Sequence, residues 1–541
     1  MDSIGRKSLL AVTVLLTLCC AGGCATRPAA GVDAGNPATA DLGPTIGSLA
    51  TVRGVDPMAV EGYGIVGGLK RTGSADCPPA IRAYLAREIQ RRLPERGALD
   101  VEKFISSPDT AAVLIEAVLP EMPYRNQYFD VKVTALPSTQ TTSLNGGGLL
   151  PAELKLPGDL SVDRRALADA EGPIFIDKIG EARPDPKTGY ILGGGKVLDD
   201  YKIILELRQS DFRLTNAIRN LINGRFGQTT AQAVQSGWVE VLVPAQFRQR
   251  PQRFVSIIKA MFLPQEPDVT AERIKTLVRR LADAQNKYDC EVALEAIGNQ
   301  SLGELQALLS SADESVRLSA GRCTLNLGGD AGLAVLRRIA ADKKSVNRLE
   351  ALEAIGVAGH KGDVAALARM LLDDDDFSVR LAAYEQLRRL DDVTITQEFV
   401  GRNFYLEQVT RTKKKAIFVS RSGQPRIVLF GAPIRCRDNI FVQSAEGDIT
   451  INSAQGQNDV TLIRRHPKRP AVAAQARSSS ELNDIVKALC NEPPKGDTKA
   501  GGLGVSYADA VAMLKQMCDK GAIDAEFHAG PPPKIDLNIK K

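Results

Sequence analysis

The chain has 541 residues, of which 44% are hydrophobic and 25% are charged, and its formal net charge at pH 7 is +5. At about 150 residues per domain this length predicts three or four domains, with enough apolar residues to bury their cores. So small a net charge does not indicate which partners the chain binds. Bulk charge alone therefore gives no support for a polyanionic partner.

The N-terminus predicts export. A short cationic stretch precedes an apolar run, Leu9 to Cys20, that is too short to span a bilayer of about 30 Å, so residues 1–23 are predicted to be a signal peptide. The next motif, Ala21-Gly22-Gly23-Cys24, resembles a bacterial lipobox, although alanine stands where leucine is usual. Cys24 is therefore the predicted lipidation site, and ordinary secretion with cleavage nearby is the alternative. We expect a periplasmic protein, anchored to a membrane through its N-terminal lipid if Cys24 is acylated.

The first folded region is predicted to be rich in β-structure. Residues 24–45 contain much Ala, Gly, Pro and Thr without a hydrophobic period, which predicts a flexible tether. Residues 46–155 form the predicted β-rich domain, and the Asp, Pro and Gly content of 156–198 predicts an extended loop region. The elements expected in the β-rich domain are a strand at 46–53, a helix at 78–93 and paired strands at 111–119 and 129–136.

A Gly-rich run in this domain formally matches a dinucleotide fingerprint, with glycines at 62, 64 and 67. That motif binds a pyrophosphate only where the glycines open a helix. No helical pattern begins here before about residue 78, so the run favours close packing of backbone against other parts of the protein.

The middle of the chain changes from alternating elements to helices. Residues 199–265 alternate strand, helix, strand, helix and are predicted to form a compact α/β unit, in which Asp211 can cap the first helix. Within 266–400, Ala/Leu-rich helices return about every 30 residues, and Leu294–Gly298 recurs as Leu352–Gly356. This period predicts an all-α solenoid of HEAT-like repeats whose ends other domains must cap, with an ordinary helical bundle as the alternative. A solenoid offers a concave surface and so implies a protein partner, still unknown.

After residue 400 the β pattern returns. We predict a β-rich region at 401–475, a helix and a strand within 476–528 and a disordered tail at 529–541. Two basic clusters are candidates for contact with anionic lipid or peptidoglycan carboxylates, because an exported chain does not meet nucleic acid; solvated loop ends are the alternative. The candidate residues are Lys413, Lys414, Lys415, Arg464, Arg465, Lys468 and Arg469.

The cysteines and histidines give no pattern of a catalytic or metal site. Six of the nine cysteines remain after signal removal and lipidation of Cys24, and none of them forms a C-x-x-C pair, which argues against zinc. Cys490 and Cys518 lie in the short last domain and are the candidate disulfide, with free buried thiols as the alternative. The three histidines fall in three different segments without metal or triad spacing. We therefore expect no catalytic residues, no metal and no cofactor.

Several motifs occur along the chain in one order. The run Gly62–Leu69, followed by Thr72-Gly73, is the first of them. The later ones are Ala111–Pro120, Phe129–Val133, Ser143–Gly147, Val239–Ala245, Ile417–Asn452 and Tyr507–Phe527. Together they resemble the flagellar basal-body P-ring protein family, over residues 46–265 and again over 405–528. The solenoid and Cys24 are departures from that family.

The resemblance implies an α+β protein in which β-rich P-ring-like domains and a small α/β unit are interrupted by the solenoid. It also implies a structural subunit, not an enzyme, that forms a homo-oligomeric ring around the flagellar rod in the peptidoglycan layer and supports motility. The expected partners are further copies of the chain, rod proteins, outer-membrane ring proteins and peptidoglycan. The alternative is an envelope adaptor lipoprotein that binds a protein partner through its solenoid in a non-flagellar assembly.

Overall fold

A computed structural model describes residues 36–92, 100–158, 164–180, 184–263, 266–283, 285–401, 403–457, 459–466, 469–492, 501–535 and 537. The predicted signal peptide, Cys24, Lys468 and the side chain of Arg469 lie outside the described residues. No helix in the described part has the length and apolar character needed to cross a bilayer.

The described residues form helices and strands in the following order. The helices are α1 (Ile46–Leu49), α2 (Pro79–Arg92), α3 (Val101–Ile105), α4 (Phe212–Phe226), α5 (Pro251–Ala260), α6 (Pro267–Asp283), α7 (Tyr288–Ile297), α8 (Leu302–Leu305), α9 (Glu314–Asn326), α10 (Asp330–Ala341), α11 (Arg348–Ala358), α12 (Lys361–Leu371), α13 (Phe377–Arg389), α14 (Leu482–Cys490) and α15 (Tyr507–Asp519). The strands are β1 (Ala50–Arg53), β2 (Met58–Gly67), β3 (Ala111–Leu119), β4 (Tyr128–Ala135), β5 (Gly148–Leu154), β6 (Ala168–Pro173), β7 (Thr188–Val197), β8 (Ile203–Leu207), β9 (Ala231–Gln235), β10 (Trp238–Val241), β11 (Ile395–Val400), β12 (Phe404–Val409), β13 (Ala416–Val419), β14 (Arg426–Phe430), β15 (Ile440–Gln443), β16 (Ile449–Ser453), β17 (Asp459–His466), β18 (Arg469–Ser479) and β19 (Glu526–Ala529).

Six strands close into an antiparallel barrel in the order β2-β3-β4-β7-β6-β5. Buried and less buried residues alternate along β3 and β4, so one face of each strand fills the barrel core. The Gly-rich run is strand β2, and its glycines allow the close approach of β5: a Cβ at Gly62 would lie 2.3 Å from the carbonyl oxygen of Glu153.

The prediction of an extended loop at 156–198 is wrong, because β6 and β7 in this region complete the barrel. These strands are rich in glycine and alanine, so they lack the β-branched pattern by which strands are usually recognised. Their small residues are required by the packing. A Cβ at Gly195 would lie 2.5 Å from the ring of Phe129.

An antiparallel sheet, ordered β1-β8-β10-β9, and helices α1, α4 and α5 form the α/β unit. Asp211 caps α4 as predicted, since its side chain accepts a hydrogen bond from the Arg213 amide at 2.7 Å. The predicted strand at 46–53 is partly wrong: α1 takes its first residues, and β1 pairs with β8 in this unit, away from the barrel.

The predicted tether is also shorter than expected. Its described residues, 36–45, pack on α6, where the guanidinium of Arg280 donates to the carbonyl of Ala38 at 2.7 Å. Arg273 likewise donates to the carbonyl of Leu42 at 2.8 Å. Ala38 and Leu42 add apolar contacts to the core of the α/β unit, which orders this stretch.

Helices α6 to α13 form a solenoid, and the predicted α+β fold with HEAT-like repeats is confirmed. Its first helices share one apolar core with the α/β unit, which joins Phe254 and Ile258 to Val292 and Cys323. Its last helices share another core with the sheet that follows them. Both ends of the solenoid are therefore capped by other parts of the same chain, as a stack of repeats requires.

Two sheets and two helices form the C-terminal part. One sheet has the order β11-β12-β14-β13-β19, and the other is an antiparallel sheet in the order β15-β16-β17-β18. Strands β15, β16 and β17 lie in the predicted β-rich region at 401–475, and β18 extends this region to Ser479. Within 476–528 the described residues form two helices, α14 and α15, where one was predicted. The last strand ends at Ala529, so the predicted tail begins inside it, and residues 530–535 form neither helix nor strand.

Candidate assembly unit and its surfaces

The barrel and the C-terminal part share an apolar core, although the solenoid separates them in the sequence. Phe175 and Leu192 from the barrel side are buried among C-terminal residues such as Phe404 and Tyr507. The ring of Tyr507 lies 5.7 Å from that of Phe175 and 5.1 Å from that of Phe404, measured between centroids. The barrel and the C-terminal part thus fold into one body.

The phenol of Tyr507 is anchored by the β-sheet beneath it. Its oxygen lies 2.7 Å from the carbonyl oxygen of Ser420 and 2.9 Å from that of Arg426, and it can donate to either. Burial raises the pKa of Tyr507 well above its ordinary value, so the phenol stays protonated and can donate a hydrogen bond to these carbonyl oxygens.

A half-buried carboxylate links the barrel to a C-terminal turn. Asp130 on β4 accepts hydrogen bonds from the backbone amides of Gly193 at 2.7 Å and Gly423 at 2.9 Å. Both glycines have φ values near +60°, 61° and 64°, a conformation that residues with a Cβ rarely adopt. Burial raises the pKa of Asp130, and the two amide hydrogen bonds oppose that rise.

Two ion pairs cross the same junction. Lys178 donates to Asp509 and to Glu446, each at 2.7 Å, and Arg421 donates to Asp177 at 3.0 Å. Burial acts to lower the pKa of Lys178, but the charges and hydrogen bonds of its two carboxylate partners raise it overall. The junction is therefore held by apolar packing at its centre and by charged pairs at its edge.

A buried ion network joins the solenoid to the α/β unit. Arg253 on α5 donates to Glu295 at 3.0 Å and also pairs with Glu291, and Arg322 on α9 donates to Glu291 at 2.7 Å. Burial raises the pKa of Glu295, and the charge of Arg253 opposes that rise. Removing the arginine would leave two carboxylates in a buried position without their shared cation.

The predicted basic cluster at 413–415 meets an acidic turn of the solenoid. Lys414 pairs with Asp375, which also pairs with Lys343 at 2.5 Å, and the amide of Lys413 donates to Asp373 at 3.2 Å. The hydrogen bonds from the two lysines lower the pKa of Asp375 to about 2. Lys413 and Lys415 have exposed side chains, whereas Lys414 is used within the protein.

The second basic cluster lies on the other C-terminal sheet. Arg464 on β17 donates to the carbonyl oxygens of Leu503 at 2.7 Å and Gly504 at 2.5 Å, so it ties the strand to the segment before α15. Arg465 has an exposed side chain. The candidate residues therefore do not form one surface, since the two clusters belong to different sheets.

The structure does not form the predicted disulfide between Cys490 and Cys518. All six cysteines within the described residues are thiols. Cys490 lies close enough to Asp509, near the start of α15, for that charge to help burial raise the pKa of the thiol. Cys518 lies near the opposite end of α15. At about 1.5 Å per residue the helix places the two cysteines much farther apart than a disulfide allows.

No group of three or more His, Cys, Asp or Glu side chains in the described part could hold a metal ion. His528 stacks on Phe377 with ring centroids 3.6 Å apart and lies 3.2 Å from Glu526, at the end of the solenoid. His360 is exposed in the turn before α12. Asp130 and Lys178 serve contacts between parts of the chain.

Comparison with known proteins agrees with this architecture. Residues 45–274 match the family model "Flagellar P-ring protein", and residues 302–388 match the model "HEAT repeats". The resemblance to P-ring proteins and the HEAT-like character of the inserted helices are therefore confirmed. The P-ring match includes the barrel and the α/β unit and ends before the C-terminal part.

Curated relatives carry the same description. The chain is 29% identical over 251 residues to the flagellar P-ring protein of Desulfotalea psychrophila, which covers 43% of this chain and 60% of that protein. It is 32% identical over 228 residues to the one from Hydrogenovibrio crunogenus, which covers 39% of this chain and 58% of that protein. With the one from Syntrophotalea carbinolica it shares 26% identity over 289 residues, 50% of this chain and 72% of that protein. The chain thus spans about 60% of the first two relatives' lengths.

Proposed function

We propose that this P-ring-like protein is a structural subunit of a periplasmic ring that surrounds the flagellar rod in the peptidoglycan layer and supports motility. It acts without catalysis or a cofactor, through contacts with other copies, rod proteins, outer-membrane ring proteins and peptidoglycan. The observation that carries the proposal is the shared core around Phe175 and Tyr507, which joins the barrel and the C-terminal part into one rigid body. A ring subunit needs such a body because it must hold its shape under load.

The location follows from the same proposal. A signal peptide at 1–23 would export the chain, and acylation of Cys24 would fix its N-terminus to a membrane. Residues 36–45 pack on α6, so acylation of Cys24 would hold the folded body close to that membrane. The exposed Lys413, Lys415 and Arg465 are available for contact with anionic lipid or peptidoglycan carboxylates.

Electron microscopy of the purified full chain tests the ring. We expect closed rings, alone or with rod proteins, in negative stain. The control is a Lys515→Ala variant, which removes one exposed ion pair with Asp519 and should assemble like the wild type. Dispersed monomers at every protein concentration, with and without rod proteins, would contradict the proposal.

The alternative is an envelope adaptor that captures a protein partner through its solenoid. A groove favours it: a cavity of about 620 Å³ lies between α11, α13 and the ends of β13 and β19, and the apolar Leu349 is 44% exposed in its wall. The adaptor predicts that Leu349→Glu abolishes partner capture without affecting ring formation. Met370→Glu, at a 56% exposed position on α12 outside the groove, is the matched control.

A further inference from the structure

The sheet β15-β16-β17-β18 has two free edges. Within the part of the chain that the structure describes, residues 440–443 of β15 and 473–479 of β18 make no backbone hydrogen bond on the side away from their sheet partners. Unpaired N–H and C=O groups in a row are a template for another strand. Both edges belong to the same sheet, so one copy of the protein offers both halves of a strand-to-strand contact.

The middle of the β18 edge lacks the usual protection, although Pro470 and Arg477 lie toward its two ends. Proteins guard exposed edges with charged side chains, bulges or covering segments. Residues 473–476 read Ala-Ala-Gln-Ala, and Arg477 is the first charged residue after them. Other edges are guarded: the side chain of Asn223 bonds both backbone groups of Ala231 on β9, and Glu398 on β11 pairs with Lys487 at 2.5 Å.

Because the sheet has an even number of antiparallel strands, its two edge strands can pair with each other between copies. The four strands are antiparallel to their neighbours, so β18 runs antiparallel to β15. A second copy placed beside the first by a small rotation would set its β15 antiparallel to β18 of the first copy. Each junction would then continue the alternation within the sheet, which is the contact that a head-to-tail ring requires.

The register aligns particular side chains across this junction. Phe441 pairs with Asn452, Asn452 with Thr461 and Thr461 with Arg477, so these four residues form one row. The row lies on the solvent side of the sheet, where Phe441 is 62% exposed and Arg477 is exposed. Without a shift along the strands, Phe441 of a second copy would face Arg477 of the first, and the guanidinium could cover the aromatic ring.

Charge also favours this pairing over the pairing of two like edges. Arg477 is exposed on the edge strand β18, so two β18 edges would bring like charges to one junction. The exposed charges just before β15, Arg437 and Asp438, offset each other. Addition of β15 to β18 therefore avoids the repulsion that pairing of two β18 edges would cause.

We propose that strand β15 of one copy adds to strand β18 of the next and continues the sheet from subunit to subunit. This inference rests on the proposed ring and names the surface through which it closes. Four strands at a spacing of about 4.8 Å give a subunit repeat of about 19 Å at the radius of this sheet. A density map of the assembled ring would show that repeat.

The test is assembly of the full chain, measured by mass photometry and negative-stain microscopy. Phe441→Lys places a cation opposite Arg477 and should reduce the assembled fraction at least tenfold. Combining Phe441→Lys with Arg477→Glu places opposite charges across the junction and should restore assembly. Phe212→Lys, at a 67% exposed phenylalanine on α4, is the matched control and should assemble normally.

The outcomes separate this inference from the proposed function. Wild-type rings that persist unchanged in Phe441→Lys, or a double variant that fails to recover, overturn the strand pairing and leave the ring in place. A wild-type chain that remains monomeric overturns both. Circular dichroism of each variant identifies loss of fold. If Phe441→Lys misfolds, Gln475→Lys replaces it, because Gln475 lies on the same solvent face of β18 as Arg477 and a lysine there places a charge directly on that edge.

Discussion

The ammonium group of Lys178 lies 2.7 Å from the carboxylate of Asp509, although 331 residues separate them in the sequence. Lys178 follows the barrel strand β6, and Asp509 lies in the first turn of the last helix, α15. The solenoid lies between them in the chain. It leaves their contact intact because its first helices pack on the α/β unit and its last helices pack on the sheet that follows. The solenoid therefore interrupts the sequence between the barrel and the C-terminal part without separating them in the structure.

Lys178→Ala should destabilise the junction. The side chains of Lys178 and Asp509 are only 17% and 14% exposed, so removal of the lysine leaves a poorly hydrated carboxylate. We expect the free energy of unfolding in urea to fall by about 2 kcal/mol, the range for hydrogen bonds to charged groups. Lys515→Ala removes an exposed ion pair on α15, the helix that carries Asp509, and should cost less than about 0.5 kcal/mol. Equal losses in the two variants would contradict the role given to Lys178.

The carboxylate of Asp130 should make stability depend on pH. Because burial raises its pKa, the folded protein binds this proton more readily than the unfolded chain does. Its contribution is therefore largest below the unfolded pKa of about 3.9 and declines as pH rises through the folded pKa. Asp130→Asn, which keeps an acceptor for the two glycine amides, should remove this decline.

Comparing three proteins by urea unfolding at several pH values tests this prediction. Asp130→Asn should be as stable as the wild type or more stable at neutral pH. Asp130→Ala leaves two backbone amides without their acceptor and should lose about 1 to 3 kcal/mol at low pH, with a smaller loss at neutral pH. If the difference in unfolding free energy between the wild type and Asp130→Asn does not change with pH, the raised pKa of Asp130 is contradicted.

Arg253→Met should weaken the contact between the solenoid and the α/β unit. The substitution leaves Glu295 buried without its main cation, and breaking a buried ion network in this way costs about 3 to 5 kcal/mol. Adding Glu295→Gln removes the stranded charge and should recover part of the loss. Lys275→Met, which removes an exposed pair with Glu272 on α6, is the control in urea unfolding. A loss no larger than that of the control would count against the network.

Sequence patterns predicted the elements whose signal is local. Strand β3 begins and ends at the predicted residues, and β4 lies within one residue of its predicted bounds, because β-branched residues line both strands; Asp211 identified the start of α4. Strands β6 and β7 were missed because glycine replaces the residues that usually mark a strand. The predicted β-rich region at 401–475 ended inside β18, because the polar residues and arginines of this strand do not mark its end.

The junction itself was beyond local patterns. Asp130 lies between Phe129 and Val131 in an ordinary strand pattern, and its partner glycines are 63 and 293 residues away. The two basic clusters were visible as charge, but the partners of Lys414 and Arg464 depend on how distant segments pack. Positive charge along a chain shows neither which side chains the fold will use internally nor which it will leave for a partner.

Asp375 should titrate at unusually low pH. Hydrogen bonds from Lys343 and Lys414 lower its pKa to about 2, below the value of about 3.9 in an unfolded chain. Its contribution to stability is therefore present above about pH 4 and is lost as pH falls toward 2. Carbon-detected NMR of the carboxylate would measure the pKa, and Lys414→Ala should move it back toward the ordinary value. An unchanged pKa in that variant would show that the basic cluster does not hold the acidic turn.

The solenoid and the bodies at its ends should unfold in one transition. Trp238 is the only tryptophan in the chain, and its neighbour Val239 shares a core with Val292 and Val316 of the solenoid. Fluorescence of Trp238 therefore reports on the α/β unit, and far-ultraviolet circular dichroism reports mainly on the solenoid helices. We expect the two urea curves to coincide, which is the test of a single cooperative unit.

A core variant in the middle of the solenoid sharpens this expectation. Leu352 is 1% exposed in the core that α9 to α13 share with Phe418 and Phe430, and Leu352→Ala should cost about 2 to 5 kcal/mol. Because the repeats are joined to both neighbours, the fluorescence curve should shift as far as the dichroism curve. A shift confined to dichroism would mean that the solenoid unfolds by itself, without the α/β unit.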